Sequence, residues 1–321
     1  MSLGFLLLIG LIFFITGCLY LPYWLKTKDL KKIGAKDLPS EGGWANLSNG
    51  NIYFRWHKPK EKNGQSIIMV HGFSTPSFVW NGLLTGLLNQ GYSVLVYDHY
   101  GRGFSERPRT KYSLDFYVET LKELISHQNI DGKIHLVGYS MGGPIIGGFA
   151  DKYSNQVKSL SFIAPAGFGK VQTSFPFFMR IPGVIEWFMH VLADRFYGSA
   201  ISSETTHSND PLSINEEEFQ QLFSFQMKFK GFRESLASTM RNFNLFDSRE
   251  MFEKVAEKNI TTMAIWGDND GIVSYKGADT YSEIFEDGKV ITIKDGTHDI
   301  TYRQTSQVLD AIKNFLDSQK I

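Results

Sequence analysis

Apolar residues follow one block and two rhythms along this chain. The block comes first: residues 3–25 are mostly apolar, and no charged side chain occurs before Lys26. As a helix, those 23 residues would reach about 34 Å, enough to cross a hydrocarbon core of roughly 30 Å. From residue 44 onward, short apolar runs of strand length alternate with segments of helical spacing. The pattern predicts strands at 52–57, 66–70, 93–97, 133–137, 157–163, 261–266 and 289–293. Helices are predicted at 77–90, 113–127, 141–153, 275–285 and 301–316. Such alternation implies an α/β fold, a mostly parallel sheet with helices on both faces.

Residues 168–246 break that rhythm and hold 13 of the 26 phenylalanines. Predicted helices at 181–192 and 215–230 make this span an inserted helical cap. Most of its Phe side chains are expected to glue the cap to the core, and a minority to enclose an apolar pocket. The expected organisation is therefore an N-terminal segment at 1–25, a linker at 26–43, a core at 44–167 and 247–321, and a cap at 168–246.

Two readings of the first segment stay open. One is a retained membrane anchor, with Tyr20, Tyr23 and Trp24 as an interfacial belt. Lys26, Lys28, Lys31 and Lys32 follow it, which places the catalytic body in the cytoplasm. The other rests on Cys18, the single cysteine: Ile15-Thr16-Gly17-Cys18 resembles a bacterial lipobox, and lipidation there would put the body on the outer, periplasmic face. Against it, no Lys or Arg precedes the apolar stretch. Both readings make the membrane a partner.

Charge narrows the other partners. Lys+Arg and Asp+Glu number 33 each, with no long basic run, which argues against nucleic acid. One cysteine excludes a disulfide framework and a multi-Cys zinc site. No metal-ligand spacing links His57, His99, His127, His135, His190 and His207, and no cofactor motif occurs, so neither metal nor cofactor is implied.

The chemistry sits in Gly138-Tyr139-Ser140-Met141-Gly142, a G-x-S-x-G element between a predicted strand and a predicted helix. A sharp turn there strains the serine backbone and lifts Oγ to the edge of the sheet, while flanking glycines let strand and helix approach. Four further elements stand in order. His71-Gly72-Phe73 ends one strand, and Asp98-x-x-Gly101-x-Gly103-x-Ser105 follows the next. Trp266-Gly267-x-x-Asp270-x-x-Val273 and Gly296-Thr297-His298 lie near the C-terminus.

With these motifs the chain from Trp44 to Leu316 resembles the α/β-hydrolase family, in its lipase, esterase and monoacylglycerol-lipase-like branch. The resemblance implies Ser140 as nucleophile, His298 as general base and acid, and Asp270 as the group that orients the imidazole. It also implies backbone N–H groups of Phe73 and Met141 as the oxyanion hole. Spacing alone does not choose between Asp268 and Asp270; the family pattern selects Asp270 and leaves Asp268 as an expected turn-stabilising carboxylate. His71 is expected to order the oxyanion loop. The implied activity is a serine hydrolase cleaving a hydrophobic carboxylic ester or lipid through an acyl-enzyme. The alternatives are a macrolactone esterase or a C–C bond hydrolase with the same triad, and, as a non-enzyme, a ligand receptor.

Overall fold

The computed structural model describes residues 2–169, 181–192 and 209–319. Eight strands form one sheet: β1 Gly43–Leu47, β2 Gly50–His57, β3 Ser66–Val70, β4 Ser93–Tyr97, β5 Ile134–Tyr139, β6 Val157–Ile163, β7 Thr261–Gly267 and β8 Lys289–Ile293. Their order is β1-β2-β4-β3-β5-β6-β7-β8. β1 and β2 form an antiparallel hairpin at the edge, β2 pairs antiparallel with β4, and every other pair is parallel.

The described helices are α1 Leu3–Thr27, α2 Asn81–Asn89, α3 Leu114–His127, α4 Gly142–Tyr153, α5 Val184–Val191, α6 Glu216–Met227, α7 Phe232–Asn242, α8 Arg249–Ala256, α9 Gly277–Ile284, α10 Ile300–Arg303 and α11 Thr305–Asp317. The period-2 alternation of the strands separates two apolar layers. Ile68 and Val70 of β3 face a layer with Tyr117 of α3, Phe149 of α4, Phe252 of α8 and Tyr281 of α9. Ile67 and Met69 face the other, with Leu83 and Leu87 of α2 and Ile312 of α11. Burial on both faces explains why these strands are continuous apolar runs.

The cap helices α5, α6 and α7 share a small core of their own: Ile185, Met189, Phe219, Phe223, Phe232 and Leu236 are buried together, and Phe73, Phe78 and Tyr302 of the main body pack against them. Two cap-span phenylalanines belong instead to the main core. Phe168 stacks on Phe252 with centroids 4.0 Å apart, a geometry worth about 1 kcal/mol beyond area burial. Phe243 lies in the same layer. Phe175, Phe177, Phe178, Phe196 and His207 lie outside the described residues.

α1 has no buried residue, and its most apolar 18-residue window has a mean hydropathy of 2.4. By length and composition it is able to cross a membrane. Its last turns rest on the cap: the Trp187 indole N–H donates to Leu19 O at 2.7 Å, and Tyr23 meets His190 edge-on at 5.2 Å. The following segment, read from the sequence as a linker, runs along the cap as well. Lys31 N–H donates to Lys228 O, Lys230 N–H returns to Lys31 O, and Ile33 is buried.

Candidate active site

Ser140 stands between β5 and α4 with φ of +52°, a left-handed conformation uncommon for a side-chain-bearing residue. Such a residue costs on the order of 1–3 kcal/mol and persists only when its surroundings over-determine it. Here they do. Its N–H donates to Ile163 O, and its carbonyl accepts from Gly143 N–H and Ala166 N–H. The glycines answer a close approach: a Cβ on Gly142 would lie 2.0 Å from Val70 O, and one on Gly138 would lie 2.5 Å from Gly142 O.

Three loops at the same sheet edge meet Ser140. His298 Nε2 lies 2.9 Å from Ser140 Oγ, and His298 Nδ1 lies 2.8 Å from Asp270 Oδ2. Gly267 explains why the acid and the histidine meet, since a Cβ there would lie 2.1 Å from Gly296 O. That contact presses the end of β7 onto the turn before His298, and Asn269 N–H donates to Gly296 O across it. The other oxygen of Asp270 accepts from Ile272 N–H at 2.9 Å and Val273 N–H at 2.8 Å. Its side chain is fully buried with each oxygen bonded, so the carboxylate has one orientation. Asp268 is exposed and its carboxylate accepts no hydrogen bond among the described residues. The backbone-capping role expected of Asp268 therefore belongs to Asp270.

The His71-Gly72-Phe73 loop reaches the same point from β3. A Cβ on Gly72 would lie 3.1 Å from Ser140 Cβ. His71 is fully buried; His99 N–H donates to its Nε2, so Nδ1 carries the proton and donates to Gly72 O at 2.9 Å. Burial, then the neighbouring His99 and Arg102, hold its pKa well below the ordinary value. A neutral His71 thus braces the loop, as read from the sequence. Among the described residues, neither Phe73 N–H nor Met141 N–H finds an acceptor.

Several buried polar side chains around this edge escaped the sequence reading. Arg102 donates from Nε to Phe73 O at 2.8 Å, from Nη1 to Ser235 Oγ at 2.9 Å and from Nη2 to Thr239 Oγ1 at 3.0 Å. It joins the His71-Gly72-Phe73 loop to α7 of the cap. Gln226 of α6 accepts from Gly103 N–H at 3.0 Å and donates to Ser74 O at 2.8 Å. A signal for Gln226 existed: it continues the stripe of Phe219 and Phe223 at helical spacing, a polar residue on an apolar face. Beside His298, Asp299 accepts from Thr297 Oγ1 and lies 3.5 Å from Arg303 Nε. Burial raises the Asp299 pKa, against those two partners. Arg303 also pairs with Glu216 at the start of α6 at 2.6 Å.

This arrangement can deprotonate a hydroxyl, hold the resulting imidazolium and receive an oxyanion. The family model for the α/β hydrolase fold matches residues 65–302. "Lipase 3" of Moraxella sp. (strain TA144) is 25% identical over 80% of this chain and 79% of its own length. A monoacylglycerol lipase of Bos taurus is 25% identical over 82% of this chain and 76% of its own. Among solved structures, a thermophilic esterase from Thermogutta terrifontis superposes with a TM-score of 0.69 at 21% identity, covering 88% of this chain and all of that one. With the motifs in family order and a matched model over most of its length, the chain belongs to the α/β-hydrolase fold family.

Proposed function

We propose that the protein is a serine hydrolase of hydrophobic carboxylic esters, with Ser140, His298 and Asp270 as its triad. The observation that carries this reading is the continuous relay from Ser140 Oγ through His298 to Asp270, at 2.9 and 2.8 Å. Ser140 Oγ attacks the ester carbonyl carbon as His298 Nε2 takes its proton. The carbonyl oxygen becomes an oxyanion held by the N–H groups of Phe73 and Met141, each worth roughly 3 kcal/mol. Collapse breaks the C–O bond, and His298 returns the proton to the departing alkoxide. Water, deprotonated by His298, then attacks the acyl-enzyme; the acid leaves and Ser140 regains its proton. Asp270 remains ionised throughout and stabilises the imidazolium.

Two features favour an apolar ester over a polar one. Phe73, beside the nucleophile, packs against the apolar core of the cap. The N-terminal helix would hold the enzyme at a membrane, where apolar esters concentrate. Leu3 to Cys18 makes about 24 Å of helix before Leu19 meets α5, most of the thickness of a hydrocarbon core. The lysines beyond it put the body on the cytoplasmic side.

The test is a burst of p-nitrophenol from p-nitrophenyl butyrate, with fluorophosphonate labelling that Ser140→Ala abolishes. Labelling that survives Ser140→Ala would assign the nucleophile elsewhere. Release of benzoate from a vinylogous diketone, without ester turnover, would favour the C–C hydrolase reading. Mass spectrometry of the native N-terminus separates an intact Met1 end from a diacylated Cys18 end.

A further inference from the structure

A cavity of about 850 Å³ lies between the end of α1, the loop at 107–112 and the cap helices α5 and α7. It is within the size range of small-molecule sites, roughly 300–1,000 Å³. None of Ser140, Asp270, His298, Phe73 or Met141 lines it. Its lining is strongly one-sided in charge: six cations and two carboxylates, in a chain where the two signs are equal.

Both carboxylates are already engaged. Glu186 lies 2.5 Å from Arg241 and accepts from Gly183 N–H. Glu234 lies 3.3 Å from His190 and accepts from Gly231 N–H. Arg107 is turned onto the carbonyls of Ser105 and Gly103. The four cations that remain, Lys32, Arg109, Lys111 and Lys230, are exposed and form no ion pair among the described residues. Like charges gathered around one concavity repel each other, and an anion relieves that repulsion.

The position of the cavity selects the anion. Tyr23 lines it from α1, next to Trp24 and one turn before Thr27, where the apolar helix ends. If α1 crosses the bilayer, this mouth opens at the height of the lipid headgroups, where basic residues meet anionic lipid. We propose that the cavity binds the phosphate headgroup of an anionic phospholipid, whose acyl chains lie in the bilayer beside α1. The bound lipid would fix the height and tilt of the catalytic body, because α1, α5 and α7 all contribute to the walls. The inference rests on the membrane reading of α1 given above, and is independent of the reaction at Ser140.

The test uses the full chain in detergent micelles carrying equal phosphatidylglycerol and phosphatidylcholine, with retained lipid read by native mass spectrometry. Wild type is expected to retain phosphatidylglycerol over phosphatidylcholine by at least about tenfold. The combined Lys32→Gln, Arg109→Gln, Lys111→Gln and Lys230→Gln variant should retain the two equally. Lys32→Arg, Lys111→Arg and Lys230→Arg together should keep the preference. Equal retention by wild type overturns the proposal, as does a preference that survives in the four-Gln chain. If circular dichroism shows that chain unfolded, Arg109→Gln with Lys230→Gln carries the test, with an expected drop of at least about threefold. Full displacement of the lipid by added glycerol 3-phosphate would assign the site to a soluble phosphate and sink the lipid reading. Loss of the chain from membranes in alkaline carbonate would sink the membrane reading itself. Failure of the hydrolase reading would show as absent ester turnover, with lipid retention unchanged.

Discussion

The sheet edge that carries Ser140 and the cap are held in place by different means. At the sheet edge, backbone does the positioning. Ser140 is fixed by three main-chain hydrogen bonds, Asp270 by two main-chain N–H donors, and the turn before His298 by the close approach of Gly267 to Gly296. The cap instead meets that edge through a few buried side chains: Arg102 to α7, Gln226 from α6, and Arg303 to Glu216. Backbone contacts constrain a site to fractions of an ångström. Side-chain anchors can be lost one at a time. On the proposed reading, chemistry at the sheet edge and enclosure by the cap are separable, so mutations in the two regions should move different kinetic constants.

The largest effects belong to the sheet edge. Ser140→Ala should lower ester turnover by about 10⁴-fold or more, with the circular dichroism spectrum unchanged, because no backbone contact uses the hydroxyl. Next comes Asp270→Asn. An amide would leave the imidazolium unsupported and disturb its tautomer, so kcat should fall at least about 10²-fold. Asp268→Asn, on an exposed carboxylate that accepts no hydrogen bond among the described residues, should stay within about twofold of wild type. A dead Asp268→Asn with an active Asp270→Asn would reverse the assignment.

The cap anchors should give smaller and different effects. Gln226→Leu strands Gly103 N–H and Ser74 O without their partner in a buried place, which costs about 1–3 kcal/mol of stability. Because Gln226 touches neither Ser140 nor His298, KM for a long-chain ester should rise up to about tenfold while kcat changes less than about threefold. Arg102→Lys removes the fork that holds Phe73 O while joining it to α7, and should lower kcat by about tenfold. Steady-state kinetics on short and long p-nitrophenyl esters separate these outcomes. If Gln226→Leu lowers kcat as much as Arg102→Lys does, cap and chemistry are not separable.

The same contrast explains what the sequence discloses. The parallel strands are legible because burial on both faces makes them unbroken apolar runs, and the site loops because they end those runs with glycine and a functional residue. β1 is missed: five residues of an edge hairpin carry too little apolar alternation to stand out. α7 is missed for the reason that makes it informative. Arg233, Ser235, Ser238 and Thr239 are buried on it, so its inward face reads as polar in one dimension. α8 offers little more than Phe252 and Val255 on its buried side. Arg102 is visible as a letter inside the 98–105 motif, but its triple bond pattern depends on α7, which lies more than a hundred residues away.

The smallest expected effect concerns stability against pH, where core and cap should lose stability in different windows. Burial is the main cause that depresses the core histidines. His135, bonded to Ser159 and Gln65 with Lys158 nearby, falls to about 4. His57, which accepts from Arg55, falls to about 4, and His99 to about 3. In the unfolded chain each titrates near 6.5. As pH drops through 6.5, the unfolded chain therefore takes up protons that the folded chain refuses. Each fully buried histidine then removes up to about 1.4 kcal/mol per pH unit until its folded pKa is reached, and half-exposed His57 removes less. The cap loses its share in a lower window. Burial would raise the Glu186 carboxyl, but its bonds to Arg241 and Gly183 outweigh that and hold it below its ordinary 4.5. Its contribution is complete above 4.5 and disappears only as pH falls further. Thermal midpoints at pH 7.5, 6.0 and 5.0 should thus fall steadily for wild type. His135→Gln should flatten that fall, and Glu186→Gln should lower all three midpoints by a similar amount. A Glu186→Gln chain whose midpoint no longer depends on pH in this range would put the titrating groups in the cap and break the comparison.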